Sequence, residues 1–184
     1  MFSATITPDL SDFALAGLRD YSYVHQEIAL PETMQVDFFV IRPEEKAAIL
    51  LYLLANVIKK EKVIIFVSTR FHVDYLVALV SELHHCYGVY GKMDMEQRTY
   101  ALDNFRKRKS SILIVTDVAA RGLDIPEVNY VVHYDYPSNH QIFVHRSGRT
   151  ARAERTGYTI GLITYHELAY LVELATYVTK KLVN

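Results

Sequence analysis

Short apolar runs alternate with longer amphipathic segments along most of the chain. The runs are four to six residues long and rich in Val, Ile and Phe. A parallel sheet covered by helices on both faces has this pattern because its strands are buried on both sides. We therefore predict an α/β fold. Strands are predicted at Val36–Ile41, Val63–Val67, Gly88–Tyr90, Ile112–Thr116, Tyr130–Tyr134 and Tyr158–Ile163.

The segments between these strands have apolar residues at helical spacing. Glu44–Lys59 follows a proline and carries acids in its first turn and lysines in its last, which suits the helix dipole. Its buried face is predicted to be Ala48, Leu51, Tyr52, Ala55 and Ile58. Further helices are predicted at Phe71–Leu83, Asp94–Phe105 with Asp94 as N-cap, and Tyr165–Leu182, with a helix-like run at Asp9–Arg19. The stripe of the last helix predicted as core is Leu168, Leu171, Val172, Ala175 and Val178.

Composition predicts one globular domain without a global charge. The chain has 184 residues, of which 51% are hydrophobic, and its 20 basic and 21 acidic side chains give a net charge of −1. Any contact with a nucleic acid must then come from a local patch. The basic run at 106–109 is one candidate, but a solvated helix end favoured by the helix dipole is the preferred interpretation.

Several site classes are not expected. The lone Cys86 excludes an intrachain disulfide, and the adjacent His84 and His85 would not face one another on a helix, so no metal site is predicted. No uncharged apolar run reaches the roughly 18 residues of a membrane span. The N-terminus lacks the charged start and apolar stretch of a signal peptide. We expect a soluble protein that does not enter a membrane.

The segment His145–Arg152 places several cationic side chains around one glycine. It reads His-Arg-Ser-Gly-Arg-Thr-Ala-Arg, and two arginine forks three residues apart on one helical face can reach a single triphosphate. A solvated basic helix is the alternative. Two other segments favour the phosphate interpretation, since Ile112–Pro126 and Val63–Arg70 are buried-strand runs that end in hydroxyls, acids and arginines.

In this order, the three segments resemble motifs IV, V and VI of the second RecA-like lobe of DEAD-box RNA helicases. Ser3-Ala4-Thr5 is similar to motif III, which links the two lobes. The resemblance implies an interlobe segment at 1–30 and, at 31–184, a helicase C-terminal domain: a RecA-like, P-loop NTPase-like parallel sheet sandwiched by helices. It covers nearly the whole chain.

The resemblance implies roles in ATP hydrolysis and in contact between lobes. Arg149 and Arg152 would stabilise charge at the γ-phosphate as catalytic arginine fingers. Gly122 and Asp124 would bind ATP, Asp124 through the ribose, although an acid that only ends a tight turn is the alternative. The implied interlobe residues are Ser3, Thr5, His145 and Arg146. For the last two, a buried helix-capping role is the alternative.

The resemblance also implies contacts to the RNA sugar-phosphate backbone, which hold a strand without reading its sequence. The implied residues are Thr69, Arg70, Arg98, Thr116 and Arg121. Structural alternatives stay open for two of them. Thr116 could only satisfy backbone groups at a strand end, and Arg98 could only pair with a helix acid.

Three positions depart from the family pattern. Met95 replaces the glutamine of the Gln-x-x-Arg element that ends at Arg98, and a thioether cannot donate a hydrogen bond. Tyr90 replaces a common histidine, and Ser147 replaces isoleucine in motif VI. These changes, with the runs Phe13–Leu18 and Glu45–Leu50, resemble the nucleolar branch that assists large ribosomal subunit assembly.

The implied function is that of the C-terminal lobe of an ATP-dependent RNA helicase, nearly inert on its own. The P-loop and the acidic Mg²⁺-binding motif are absent from these 184 residues, so the ligands for the Mg²⁺ that accompanies ATP are expected on an N-terminal lobe. Expected partners are RNA, that N-terminal lobe and pre-ribosomal proteins, in a nucleolar monomer. A non-catalytic RNA- or protein-binding scaffold and a DNA helicase lobe are the alternatives.

Overall fold

The computed structural model describes residues 30–151 and 155–182, with side chains of the last helix described up to residue 177. Its centre is one six-stranded sheet, and every neighbouring pair of strands is parallel. The spatial order is β1-β6-β5-β2-β4-β3. The strands are β1 (Met34–Ile41), β2 (Lys62–Val67), β3 (Cys86–Val89), β4 (Ser111–Thr116), β5 (Tyr130–His133) and β6 (Gly157–Thr164).

The six predicted strands are all present, with ends within two residues of the predicted ones, so the α/β prediction is confirmed. The three central strands β2, β4 and β5 are the most apolar and the most deeply buried. Such continuous burial is what a strand covered on both faces requires. The predicted run at Asp9–Arg19 lies outside the described residues.

Helices connect the strands. They are α1 (Lys46–Tyr52), α2 (Arg70–Ser81), α3 (Met95–Lys107), α4 (Asp117–Ala120), α5 (His140–Ser147) and α6 (Leu168–Leu182). Short 3₁₀ turns precede α1 and α6, and α1 continues into a π-helical segment at Leu53–Ile58. Asp94 stands at the N-cap position of α3 as predicted, although its side chain makes no capping hydrogen bond. None of the described helices is long and apolar enough to cross a membrane.

The helices are divided between the two faces by the direction in which the chain crosses the sheet. From β1 the chain moves to β2 and β3, and α1 and α2 pack together against one face. It then returns through β4, β5 and β6, and α3 and α4 cover the opposite face. Right-handed crossovers require this change of face when the direction reverses. Phe143 of α5 lies on that second face, stacked on His133 of β5.

The predicted face of the first helix is partly wrong, since Ile58 is buried and Leu51 packs against the core as predicted. Ala48, Tyr52 and Ala55 are exposed, and the side chains that join the core come from Leu50, Leu53, Leu54 and Ile58. Ala48 and Tyr52 lie in the regular α-helix before the π segment, so the π segment does not account for their exposure. The buried positions Lys46, Leu50, Leu54 and Ile58 recur every four residues, and the prediction chose the neighbouring stripe of the same helix. The segment ends at Lys59, whose φ of 53° stops the helix.

The predicted core stripe of the last helix is also partly wrong. Val172 is 67% exposed and Ala175 is exposed. Leu174 is only 3% exposed and packs with Phe143 and Val144. The periodic pattern identified the helix but assigned its buried face about one residue out of place. Leu168 and Leu171 are half-buried, and the side chain of Val178 lies outside the described part.

Ala151 has a left-handed backbone, with φ of 56° in a site that is 94% buried. The turn is fixed on both sides. Thr150 donates its hydroxyl to the Val128 carbonyl at 2.6 Å, and a Cβ added at Gly157 would lie 2.3 Å from the Ala151 nitrogen. An alanine at positive φ carries a steric cost that glycine avoids.

We predict that Ala151→Gly raises the free energy of unfolding by about 0.5–1 kcal/mol, because it relieves the left-handed strain. Urea denaturation of parent and variant measures the change. Ala78→Gly is the matched control, since Ala78 lies on the exposed side of α2 and should lose about 1 kcal/mol. A loss of stability at both positions would contradict the strain assignment.

Candidate functional site

The candidate site lies along the carboxyl edge of the sheet. β2 leads to a helix on one face, whereas its neighbours β4 and β5 lead to helices on the other. Chain ends that diverge in this way open a crevice, and ligands of parallel α/β proteins bind in such crevices. Motif IV ends in the loop after β2, and motif V continues from β4 into the turn that follows it. The loop after β5 contacts motif VI through Asp135.

A buried ion pair joins motif VI to motif V. Arg146 of α5 donates from Nε to Asp117 Oδ1 and from Nη2 to Asp117 Oδ2, both at 2.7 Å. This is the bidentate fork geometry in which arginine and carboxylate pair most strongly. The Arg146 side chain is 3% exposed and the Asp117 side chain 27%. The pair fixes α5 against the start of α4.

The remaining face of the guanidinium is also occupied. Nη1 donates to the Asp135 carbonyl at 2.7 Å and lies 3.4 Å from His133 Nδ1, and the guanidinium carbon stands 5.0 Å from the centre of the Phe66 ring. Arg146 was expected to contact another lobe. Instead, the structure buries it inside this lobe, because five donors and a charge need the acceptors that β4 and β5 provide.

His133 lies beneath this cluster, fully buried and stacked on Phe143. Burial, and then the charge of Arg146, hold the pKa of His133 well below its ordinary range, so the ring is neutral. Arginine can only donate, so Nδ1 accepts from Arg146, and Nε2 carries the proton and donates to Ser147 Oγ at 3.3 Å. Ser147, which stands where the family pattern has isoleucine, therefore has a polar partner.

Asp135 connects this cluster to the loop after β2. Its carboxylate accepts from the Ser68 backbone nitrogen at 2.7 Å and contacts His72 Nδ1 at 2.5 Å, while its carbonyl accepts from Arg146. Asp135 alone thus binds both the motif IV loop and motif VI. Next to it, the buried Lys46 donates to the Tyr134 carbonyl at 3.0 Å.

A cleft of about 300 Å³ opens beside the Asp117–Arg146 pair. Arg121 from the end of α4 and His145 and Arg149 from the motif VI segment line it. Its apolar part consists of Phe66, Ala120, Ile142 and Val144. Burial, and then the charges of Arg149 and Arg121, lower the pKa of His145, which keeps that ring neutral. The two arginines therefore lie close to one histidine at the cleft wall.

The charge of the cleft suits a polyanion. Arg146 pairs with Asp117, the carboxylate of the lining, and Arg121 and Arg149 add two further guanidinium groups to the wall. Within the described ranges, no three His, Cys, Asp or Glu side chains come together as metal ligands. This donor set can hold phosphate oxygens and does not fit a divalent cation.

A second group of predicted residues gathers where β2 and β3 end. Thr69 caps α2, its hydroxyl accepting from the His72 backbone nitrogen at 3.1 Å. The Arg70 guanidinium lies 4.8 Å from the centre of the Tyr90 ring. Arg98 donates from Nη2 to the Gly91 carbonyl at 3.0 Å, so it binds the loop after β3 rather than an acid of its own helix.

Thr116 and Gly122 lie in the turns of motif V. Thr116 ends β4, is 8% exposed, and stands at the N-cap of α4 without a capping bond from its side chain. Gly122 has φ of 71° with open space where a Cβ would lie, so the turn needs glycine for its backbone conformation.

Asp124 does not line the cleft. Its side chain is 96% exposed and pairs with Arg106 Nη2 at 3.2 Å. Arg106 also pairs with Asp103, and Arg108 donates to the Tyr87 hydroxyl. The first and third cations of the run at 106–109 therefore have partners in this lobe, which favours the helix-end interpretation of that run over a free nucleic-acid patch.

Three predicted site residues, Ser3, Thr5 and Arg152, lie outside the described residues. Sequence reasoning missed three others, Asp117, His133 and Asp135. Asp117 stood within the quoted motif V, directly after a buried strand, and that position was the available signal. Nothing in the local sequence of β5 indicates that His133 and Asp135 would meet an arginine thirteen and eleven residues later.

Comparison with known proteins decides the family. The family model described as helicase conserved C-terminal domain matches residues 45–154, more than half of the chain. The chain belongs to this family. The DEAD-box ATP-dependent RNA helicase 29 of Oryza sativa subsp. indica is 46% identical over 187 residues, covering 99% of this chain and 22% of that protein. The ATP-dependent RNA helicase DDX54 of Mus musculus is 39% identical, covering 95% of this chain and 20% of that protein.

The fold of this helicase domain agrees with solved structures. S. cerevisiae Dbp5 bound to RNA and ADP BeF3 matches with a TM-score of 0.81 and 28% identity, over 96% of this chain and 48% of that one. The resemblance to DEAD-box helicases and the RecA-like sheet are thus confirmed. The chain spans about a fifth of the length of the two helicase relatives.

We predict that Asp117→Asn lowers the free energy of unfolding by about 3 kcal/mol, because it leaves the buried Arg146 charge without its carboxylate. Urea denaturation gives the value. Asp103→Asn is the control, since its pair with Arg106 is solvent-exposed and should contribute less than about 1 kcal/mol. Equal effects of the two substitutions would argue against the buried pair as the main link.

We also predict that stability falls as the pH drops below about 6.5, the ordinary pKa of histidine. The pKa of His133 is depressed in the folded state, so the unfolded chain takes up a proton that the folded chain refuses. The contribution of His133 to the free energy of unfolding is therefore present above that pH and is lost below it. The free energy of unfolding then falls with a limiting slope of about 1.4 kcal/mol per pH unit.

Urea denaturation at pH 7.5, 6.5 and 5.5 tests this dependence in the parent and in His133→Gln. The variant should have the shallower decline, since its amide does not titrate. The same decline in both proteins would place the pH dependence on other groups.

Proposed function

We propose that this domain is the C-terminal lobe of an ATP-dependent RNA helicase and that its cationic cleft receives the phosphates of ATP held on an N-terminal lobe. One observation carries the proposal: Arg121, His145 and Arg149 meet at the carboxyl edge of the sheet, in a cleft whose carboxylate is already neutralised. The confirmed membership of the family supports the same reading.

In this proposal, Arg149 and Arg152 act on the γ-phosphate. As the terminal phosphoryl group is transferred to water, negative charge spreads over its oxygens, and a guanidinium fork aimed at them stabilises that charge. The Asp117–Arg146 pair contributes by fixing α5, the helix that precedes Arg149. Arg146 is then a positioning residue, whereas His145 stays the candidate for contact with Ser3 and Thr5 at the other lobe.

ATP contacts beyond the phosphates are proposed at Gly122 and Asp124. The exposed carboxylate of Asp124 must leave Arg106 or share it when a ribose hydroxyl approaches. Mg²⁺ would neutralise phosphate charge during the reaction. The described residues provide no ligand cluster for it, so its carboxylates are assigned to the N-terminal lobe.

RNA is proposed to lie across the ends of β2, β4 and β3. Thr69, Arg70 and Thr116 border that path, and Arg98 holds the loop after β3 beside it. Arg121, first assigned to RNA, lines the same cleft as Arg149, so it stands between the two ligands. Backbone contacts of this kind bind RNA without base specificity.

The cellular role is proposed from the positions at which this chain departs from the family pattern and from two sequence runs. The departures at Tyr90, Met95 and Ser147 and the runs Phe13–Leu18 and Glu45–Leu50 resemble the branch that assembles large ribosomal subunits. We therefore propose action on pre-ribosomal RNA in the nucleolus, as one polypeptide whose two lobes close on one strand.

We predict that RNA-stimulated ATP hydrolysis requires both lobes and depends on Arg149. Joined to an N-terminal lobe of a DEAD-box relative, the chain should hydrolyse ATP, and Arg149→Ala should lower kcat about 10³-fold with little change in RNA affinity, since an arginine finger acts in the transition state. Steady-state phosphate release and RNA anisotropy measure the two quantities.

Arg108→Ala is the matched control, because Arg108 lies at the far end of α3 and contacts Tyr87. Its kcat should equal that of the parent. Equal turnover in Arg149→Ala and the parent would remove the finger assignment. A folded two-lobe protein that binds RNA without hydrolysing ATP would favour the scaffold alternative.

A further inference from the structure

Arg70 is held on two sides before any ligand arrives. Its Nε donates to Asp74 Oδ2 at 3.3 Å, one turn further along α2. Its guanidinium carbon lies 4.8 Å from the centre of the Tyr90 ring, which comes from the loop after β3. Two different elements therefore restrict one side chain, although 59% of that side chain is exposed.

The two contacts leave the phosphate-binding edge of Arg70 available. Asp74 uses Nε, and the Tyr90 ring approaches the guanidinium carbon. Among the described residues, neither terminal nitrogen of Arg70 has a hydrogen-bond partner. Those two nitrogens form the fork that pairs bidentately with phosphate oxygens. An arginine already held in place loses less side-chain entropy when it binds.

The loop that carries Tyr90 is itself held by α3. Arg98 of α3 donates from Nη2 to the Gly91 carbonyl at 3.0 Å and approaches the Tyr90 carbonyl at 3.5 Å. A Cβ at Gly91 would lie 3.2 Å from Val118, so this loop also packs on α4. The connection runs from Arg98, through the loop backbone and the Tyr90 ring, to Arg70.

Met95 cannot replace the hydrogen bonds of the glutamine it substitutes. Its side chain is 73% exposed and carries no donor. A histidine at position 90 would offer a smaller ring to the guanidinium than tyrosine does. The two departures from the family pattern therefore lie at one place, and the loss of a polar contact at Met95 accompanies an aromatic support at Tyr90.

We propose that Tyr90 is a positioning residue for RNA binding: its ring holds the Arg70 fork toward one phosphate of a single strand, and Arg98 acts by fixing Tyr90. This inference rests on the proposed RNA path and assigns a new role within it. The ligand is the sugar-phosphate backbone of single-stranded RNA, bound through one phosphate at this position.

The test is fluorescence anisotropy of a 12-nucleotide oligouridylate with the 184-residue chain, at several salt concentrations. Arg70→Ala should weaken binding and reduce the slope of log K against log salt by about 0.7, the value for one phosphate contact on a single strand. Tyr90→Leu should weaken binding about two- to fivefold, the range for an exposed cation–π contact. Tyr90→Phe keeps the ring and should stay within about twofold of the parent.

The double variant Arg70→Ala with Tyr90→Leu separates positioning from direct contact. It should bind no more weakly than Arg70→Ala alone, because the ring acts through the arginine. An additive loss would mean that Tyr90 touches RNA itself, and this would overturn the inference. Tyr52→Leu, which removes an exposed tyrosine from α1, is the control and should match the parent.

Other outcomes distinguish this inference from the proposed function. If Arg70→Ala weakens binding while Tyr90→Leu equals the parent, the positioning role fails and the RNA path stands. If the parent chain does not bind the oligonucleotide, or if Arg70→Ala binds it as tightly as the parent does, the proposed RNA contact fails, and the inference fails with it. Circular dichroism checks each fold, and Tyr90→Gln replaces Tyr90→Leu if the latter does not fold.

Discussion

The organisation of the carboxyl edge depends on the buried pair between Arg146 and Asp117. A guanidinium that is 3% exposed must have acceptors for nearly all of its donors, and Asp117, Asp135 and His133 supply them from three directions. This requirement fixes the helix that precedes Arg149 and the start of α4 that leads to Arg121. The cleft wall is therefore built around a charge that is already paired within the lobe.

The same constraint explains why one arginine-rich segment serves two purposes. Arg146 is buried and pairs with Asp117 and the Asp135 carbonyl within the lobe, whereas His145 and Arg149 are half-buried at the cleft wall. Residue type alone does not separate the buried role of Arg146 from the cleft-lining roles of His145 and Arg149. Position along the segment separates them, and the buried Arg146 holds the other two in place.

The sequence predicts the strands well because burial on both faces leaves a local signal in β2, β4, β5 and β6. It fails where geometry is set by distant residues. The buried stripe of α1 was placed out of position because the sheet on which the helix packs, and not the spacing within Glu44–Lys59, decides which of two neighbouring apolar stripes is covered. The roles of Asp135 and His133 depend on a helix that begins at His140, so they became visible only when the chain was folded. Likewise, the pairing of Asp124 with Arg106 of α3 was not visible in the sequence, whereas the ribose contact of Asp124 stays a prediction.

Asp135 has a consequence for how the lobe moves. Its carbonyl accepts from motif VI and its carboxylate from the motif IV loop, and these two groups are separated only by bonds within one residue. The cleft wall and the end of β2 cannot shift independently without breaking one of these contacts. A lobe braced in this way turns as a rigid body, and the hinge for any domain closure must lie outside it.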